Sequence, residues 1–152
     1  MTAFNPENFI NTETTESNST RVIPVPEGDH RAFIDKVDAK TLGQNQSPAL
    51  SILWKIDDMD GSVQEATGRE ENRVEQLIWL DINDSGGLDH SDGKNVQLGR
   101  LRKALGQNQP GQAWAPSMLV GGMAMIHVSH DPDKNDPDVV YARVRRVSPL
   151  EG

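Results

Sequence analysis

Residues Val74–Gly106 read VEQLIWLDINDSGGLDHSDGKNVQLGRLRKALG, and the order of the patterns within them decides the fold. Val74, Gln76, Ile78, Leu80 and Ile82 alternate with Glu75, Leu77, Trp79 and Asp81, the period-two signature of a strand with one buried face. An acidic, glycine-rich turn follows. Leu98, Leu101 and Leu105 then recur at helical spacing, with Arg100 and Lys103 on the opposite side. A helix is expected from about Asp92 to Leu105, with Ser91 as N-cap and Gly106 as the C′ residue that ends it. Gly99 costs such a helix roughly 1 kcal/mol relative to Ala, so a close packing contact is expected there.

Upstream, Ala49–Ile56 (ALSILWKI) places Leu50, Ile52, Trp54 and Ile56 on one face and Ser51, Leu53 and Lys55 on the other. His30–Ala39 (HRAFIDKVDA) mixes apolar and charged residues as a half-exposed first strand does. Thr41–Pro48 is a turn by composition, and Asp57–Asn72 reads as a long, acidic, glycine-broken loop. Downstream, Gln107–Pro116 is a connector carrying Trp114. Gly122–Ser129 and Val139–Val147 then form a hairpin around the turn His130–Asp138. On its second strand Val140, Ala142 and Val144 oppose Tyr141, Arg143 and Arg145. The chain is therefore expected to be mainly β, a five-stranded barrel with one helix between the third and fourth strands.

A chain of 152 residues is the size of one domain with a real core. Its first twenty residues (MTAFNPENFINTETTESNST) have no apolar period and cannot offset their ordering entropy by burial. Residues 1–25 are expected to form a disordered, flexible N-terminal arm, and 26–149 the domain. The arm lacks the basic start and apolar run of a secretory signal. No stretch approaches the roughly 18 apolar residues of a membrane span, so no membrane partner is expected. Cysteine is absent, which excludes disulfides and thiolate chemistry and fits a reducing cytosol.

The formal net charge is −8, from 23 acidic and 15 basic residues. The two signs are not evenly mixed. Met1–His30 holds five acids against one base, and Asp57, Asp58, Asp60, Glu65, Glu70 and Glu71 crowd one loop. The bases gather in Arg100/Arg102/Lys103 and Arg143/Arg145/Arg146. This distribution leaves room for a basic face on an acidic protein.

Asp81–Asp92 (DINDSGGLDHSD) offers Asp81, Asn83, Ser85, Gly86, Leu88 and Asp92 at positions 1, 3, 5, 6, 8 and 12 of an EF-hand-like loop. The last ligand would be Asp where a bidentate Glu is usual, and the preceding flank is strand-like. The loop is expected to be a connector without metal. His30, His90, His127 and His130 show no metal-ligand spacing. There is no nucleophile elbow, and no glycine loop leads into Lys-Ser/Thr. Neither an enzyme activity nor a cofactor is expected. What remains is the pattern by which single-stranded nucleic acid is held without sequence preference, aromatic rings for the bases and Lys/Arg for the phosphates. Phe33, Trp79 and Tyr141 are the stacking candidates. Lys36, Arg73, Arg143 and Arg145 would meet phosphates, and Arg100 and Lys103 could extend the track.

The segments PVPEGDHRAFIDKV, LIWLDI, GKNVQLGRLRKALG and VGGMAMIHV…VVYARVRRV, with an early FNPEN, resemble the phage-encoded OB-fold single-stranded-DNA-binding proteins of replication and recombination modules. The resemblance spans most of Pro24–Val147. It implies an OB-fold and cooperative coating of single-stranded DNA, as a homo-oligomer or an array. It also implies replication or recombination proteins as partners, in the cytoplasm of a bacterial host. A reading from a different class is a non-enzymatic structural or adaptor protein of a phage-like complex. There the barrel makes protein contacts and the acidic arm meets a basic partner.

Overall fold

A computed structural model describes residues 3–150; Met1 and Thr2 of the arm lie outside the described residues. Five strands follow in order, β1 (Gly28–Leu42), β2 (Ser47–Ile56), β3 (Arg73–Trp79), β4 (Met123–Pro132) and β5 (Val140–Ser148). They close into one sheet in the order β1-β2-β3-β5-β4, with β4 returning to β1. Neighbours are antiparallel except β3 and β5, which run parallel where Glu75 meets Arg143. Among the described residues three α-helices accompany the sheet, α1 (Pro6–Phe9), α2 (Ser62–Thr67) and α3 (Val96–Ala104), the last between β3 and β4, with a 3-10 turn at Pro116–Leu119. The protein is thus mainly β, built on a closed five-stranded sheet. No helix of the described residues is long and apolar enough to cross a membrane.

The alternation in β2 and β3 fills the interior. Leu50, Ile52, Trp54, Val74 and Ile78 are buried, joined by Ile34, Ile126, Val128 and Val144 from the other strands. Trp54 brings an indole N–H into this core, and Gln76 Oε1 accepts it at 2.9 Å. That bond satisfies the indole N–H and the Gln76 carbonyl oxygen. Leu98 and Leu101 turn the buried face of α3 onto the same core. Gly122 lets the start of β4 pass close beneath α3, since a Cβ there would lie 2.8 Å from a Leu105 methyl.

Two bulges decide which charges face outward. In β5, Val128 lies opposite Val144 and Ile126 opposite Val147, so β5 carries one extra residue, Arg145. The bulge restarts the alternation. Val144 is buried, Val147 packs against the core, and Arg145 and Arg146 are both exposed. In β1 the extra residue is Asp35, between Ile34 opposite Trp54 and Lys36 opposite Leu53. Asp35 and Lys36 are consequently both exposed.

Several expected boundaries move. β1 runs to Leu42 and β2 begins at Ser47, so the expected turn Thr41–Pro48 shrinks to 43–46. The two strands stay paired up to Leu42 and Ser47 on either side of it. The acidic loop Asp57–Asn72 contains α2, whose first amides, Val63 and Gln64, are met by the Asp58 carboxylate. Val63 anchors that helix in the core. β3 stops at Trp79, and Ile82 is exposed rather than buried.

The long helix begins at Val96 instead of Asp92, and Asn95, not Ser91, precedes it. Asn95 sits at φ 52 and is locked to Asp81. Asn95 N–H donates to Asp81 Oδ2 at 2.9 Å, and Asp81 N–H to Asn95 Oδ1 at 2.8 Å. Such a left-handed residue halts helix growth toward the N-terminus. Gly106, at φ 72, stands at C′ as expected. The close contact expected at Gly99 does not exist; a Cβ there would meet nothing within 4 Å.

Candidate nucleic-acid interface

The lysines and arginines of the strands and of α3 fall into two groups. On the first three strands each is paired with a carboxylate. Arg31 meets Asp57 at 3.0 Å, Lys36 meets Asp38 at 3.5 Å, Lys40 meets Glu75 at 3.7 Å and Lys55 meets Glu71 at 3.0 Å. Arg73 holds Asp35 at 2.9 Å and Glu71 at 3.3 Å. The Asp35 bond is the main reason its guanidinium pKa is raised, while the hydrogen bond from Lys55 lowers that of Glu71. On β5 and α3, by contrast, Arg100, Arg102, Lys103, Arg143, Arg145 and Arg146 have no carboxylate oxygen within 4.0 Å among the described residues.

Half of the second group converge. Arg100 on α3 and Arg145 and Arg146 on β5 line one recess of about 380 Å³ with Gln76 and Gln97, and no acid contributes to its wall. Across β5, Tyr141 and Arg143 line a second groove, of about 650 Å³, whose far wall is Leu53, Arg73 and Glu75. Residues Thr20–Val22 and Pro24–Val25 of the arm form another side of it. The arm is pinned there by Val25, which is buried and whose carbonyl lies 2.7 Å from His130 Nε2. Arg21 reaches Asp138 at 3.4 Å.

Tyr141 is 41% exposed and fixed at both ends. Its hydroxyl donates to Asp133 Oδ2 at 2.8 Å, and the Arg143 guanidinium lies 5.1 Å from its ring centre. The carboxylate beside it raises the phenol pKa. Asp133 shifts downward, held first by the Asn135 amide and then by the tyrosine hydroxyl. Arg145 Nε donates to Ser129 Oγ at 3.3 Å.

The other candidates sit apart. Trp79, at the end of β3, is 52% exposed and lies opposite Ala49, which in turn lies opposite Lys40. Phe33 is half-buried on β1, with Lys55 Nζ 5.9 Å from its ring centre. The structure therefore brings Tyr141 and Arg143 together at one groove and Arg145 and Arg100 together at the recess, both along β5. Lys103 is exposed on the same helix as Arg100, and Arg73 faces the groove from its ion pairs. Lys36, Phe33 and Trp79 belong to the β1–β3 side.

Arg146 was missed by the alternation argument, which assigns it to the inner face. The signal was present in Val144-Arg145-Arg146-Val147: valines three apart with only arginines between them cannot keep strict alternation without burying a charge. Burying an unpaired charge is the costlier choice.

In the loop Asp81–Asp92 the polar groups serve the loop itself. Asn83 Oδ1 accepts the amides of Ser85 and Gly87, and Asp89 accepts both the amide and the hydroxyl of Ser91. Those bonds lower the Asp89 pKa, the Ser91 hydroxyl most. Asp81 is committed to Asn95. The described residues hold no group of three or more His, Asp or Glu able to share a metal ion.

No protein-family model and no curated protein matches the chain.

Proposed function

We propose that the chain is a non-enzymatic single-stranded-DNA-binding protein with an OB-like barrel. In its support, the strand order, the parallel β3–β5 contact and the helix between β3 and β4 fit the five-stranded barrel that many oligonucleotide binders use. The observation that carries the reading is the split among the cations. In a chain of net charge −8, the arginines of β5 and Arg100 and Lys103 of α3 have no carboxylate oxygen within 4.0 Å among the described residues, and Arg143 lies beside the exposed ring of Tyr141. Unpaired guanidinium groups beside an aromatic face are what a flexible chain of phosphates and unstacked bases requires.

The phosphates follow Arg143, Arg145, Arg146 and Arg100, with Lys103 beyond, and a base stacks on the ring face of Tyr141 away from Arg143. Trp79 and Phe33 offer further stacking faces where the strand wraps toward β3 and β1. Arg73 and Lys36 contribute after exchanging carboxylates for phosphates, which is why they rank lower. The resemblance places such a protein beside replication or recombination proteins in a bacterial cytoplasm.

The test is an anisotropy titration with oligo-dT and with duplex of equal length, at low and moderate salt. Oligo-dT should bind more tightly than duplex, with affinity that falls as salt rises and with quenched tryptophan emission. Absence of binding to oligo-dT in about 50 mM salt, where phosphate contacts are strong, would overturn the proposal. It would favour the adaptor reading instead.

A further inference from the structure

A third depression lies at the other end of the β1–β2 ribbon, well away from Tyr141. It measures about 970 Å³. Its lining is largely apolar, with Leu50, Leu80, Ile82, Leu88 and Trp114 among its walls. One charged group is set into it without a counter-ion. Arg102 lies flat on the Trp114 ring, 4.0 Å from its centre, and spends Nε on the Gln107 carbonyl at 3.2 Å. Its remaining N–H groups have no carboxylate within 4.0 Å among the described residues. Partial burial already lowers its pKa. An apolar groove holding an unneutralised guanidinium suits an occupant with two or three large apolar side chains and a single acid between them.

The chain itself carries such a segment. Phe4, Phe9 and Ile10 are all exposed, yet they are not loosely strung. Asn5 caps α1 by accepting the amides of Glu7 and Asn8 at 3.0 and 3.3 Å, and Pro6 sets the first turn. Phe4 and Phe9 meet edge-to-face, with ring centres 5.1 Å apart. The only charge between them is Glu7. A preformed knob of this kind has little entropy left to lose on docking. The arm is anchored at Val25, beside His130, and its next contact leads outward past Asp138. The fifteen Cα–Cα steps from Ile10 to Val25 span at most about 54 Å when extended, enough to reach a neighbouring molecule.

We propose that the Phe4–Ile10 knob of one copy docks in the Trp114 groove of a second copy, with Glu7 on Arg102. The contact is head-to-tail, so each molecule gives a knob and receives one. It links copies without DNA and uses none of the β5 arginines.

Two variants of the full chain test it. Phe4→Ser with Phe9→Ser blunts the knob, and Ile82→Glu, at an exposed position of the groove wall, repels Glu7. Neither touches a buried side chain, and unchanged melting temperatures check that both fold. In sedimentation velocity without DNA, the wild type should rise with concentration from the 16.7 kDa monomer toward twice that mass and beyond. Each variant alone should stay monomeric. An equimolar mixture should recover a dimer that goes no further, since one intact groove meets one intact knob. The proposal is overturned by a wild type that remains monomeric, or by association that survives the knob variant. A mixture that stays monomeric also overturns it. If the knob variant alters tryptophan emission at constant monomer mass, the knob seats in its own groove and the second-copy assignment fails. If Ile82→Glu weakens oligo-dT binding while self-association persists, the groove belongs to the nucleic-acid path instead.

Discussion

The outer face of β1–β3 and the edge formed by β5 and α3 carry similar numbers of cations and differ in what surrounds them. On the first, each Lys or Arg has a carboxylate partner, and Arg73 has two. On the second, Arg145 and Arg146 of β5 and Arg100 of α3 stand unneutralised around one recess. Net charge hides this difference completely. What a polyanion meets is the local field, set by how the two signs are distributed. An acidic protein can therefore present a basic edge, provided that its acids are spent elsewhere. Here they cap α2, lock the Asp81–Asn95 corner and pair the cations of the first three strands.

The largest expected effect comes from inverting the comparison. Arg145→Glu with Arg146→Glu puts two negative charges into the recess and should abolish measurable oligo-dT binding at about 50 mM salt. The melting temperature should hardly move, as is usual at exposed sites. Arg73→Glu should behave oppositely. It sets a third carboxylate against Asp35 and Glu71, so the protein should melt earlier while each folded molecule still binds. Thermal melts and anisotropy on the same samples read both quantities. If Arg73→Glu is the variant that loses binding, the two regions have been assigned the wrong way round.

The two sides of β5 sharpen the contrast on a smaller scale. Tyr141→Ala should weaken oligo-dT binding by about 1–3 kcal/mol, the usual worth of one stacking ring, and leave stability intact. Val144→Ala empties part of the core and should cost about 2 kcal/mol of stability with binding per folded molecule unchanged. Denaturant melts separate the two. A Tyr141→Ala protein that unfolds yet binds normally would make that ring structural.

Strict alternation and one helical stripe were enough to read the closed sheet, the interior set Leu50/Ile52/Trp54 and Val74/Ile78, and the helix between β3 and β4. These patterns are local, and burial makes each slip expensive. The bulge at Arg145, the αL corner at Asn95 and the length of β1 were not legible in the same way. Each depends on a partner far along the chain: the Val128–Val144 register, the Asp81 carboxylate, the β2 and β4 ladders. Among the proposed site residues, Tyr141, Arg143 and Arg145 follow from sequence because alternation turns them outward together. The pairing of Arg73 with Asp35 could not be foreseen, since the bulge that exposes Asp35 is a tertiary choice. α2 was overlooked because its acidic surroundings mimic a loop, although Asp58 accepts the amides of Val63 and Gln64 near its start.

Single alanines resolve the comparison more finely. Arg145→Ala removes one phosphate contact and should flatten the dependence of log affinity on log salt by about 0.7, the increment for single strands. Arg73→Ala should change that slope less than Arg145→Ala does and lower the melting temperature only slightly, as loss of an exposed ion pair usually does. Equal slope changes in both variants would mean that phosphates reach the β3 cation as readily as the β5 ones.

The smallest effect is a titration that reports how Tyr141 is held. It is the only tyrosine of the chain, so phenolate absorbance follows it alone. With Asp133 accepting its proton, its midpoint should lie above the ordinary phenol range, and Asp133→Asn should bring it down, with Arg143 still nearby to favour the phenolate. The stability linked to this pair has opposite signs at the two ends of the pH scale. The raised phenol contributes below the unfolded tyrosine pKa and loses its contribution as pH climbs through the folded value. The lowered Asp133 contributes above the unfolded aspartate pKa and loses it as pH falls through the folded one. Both groups face water, so the change in melting temperature should be slight, and the absorbance midpoint is the decisive reading. An Asp133→Asn protein with an unmoved midpoint would show a hydroxyl that never used that carboxylate. The ring would then be free to turn, and the preorganised stacking face proposed for β5 would lose its anchor.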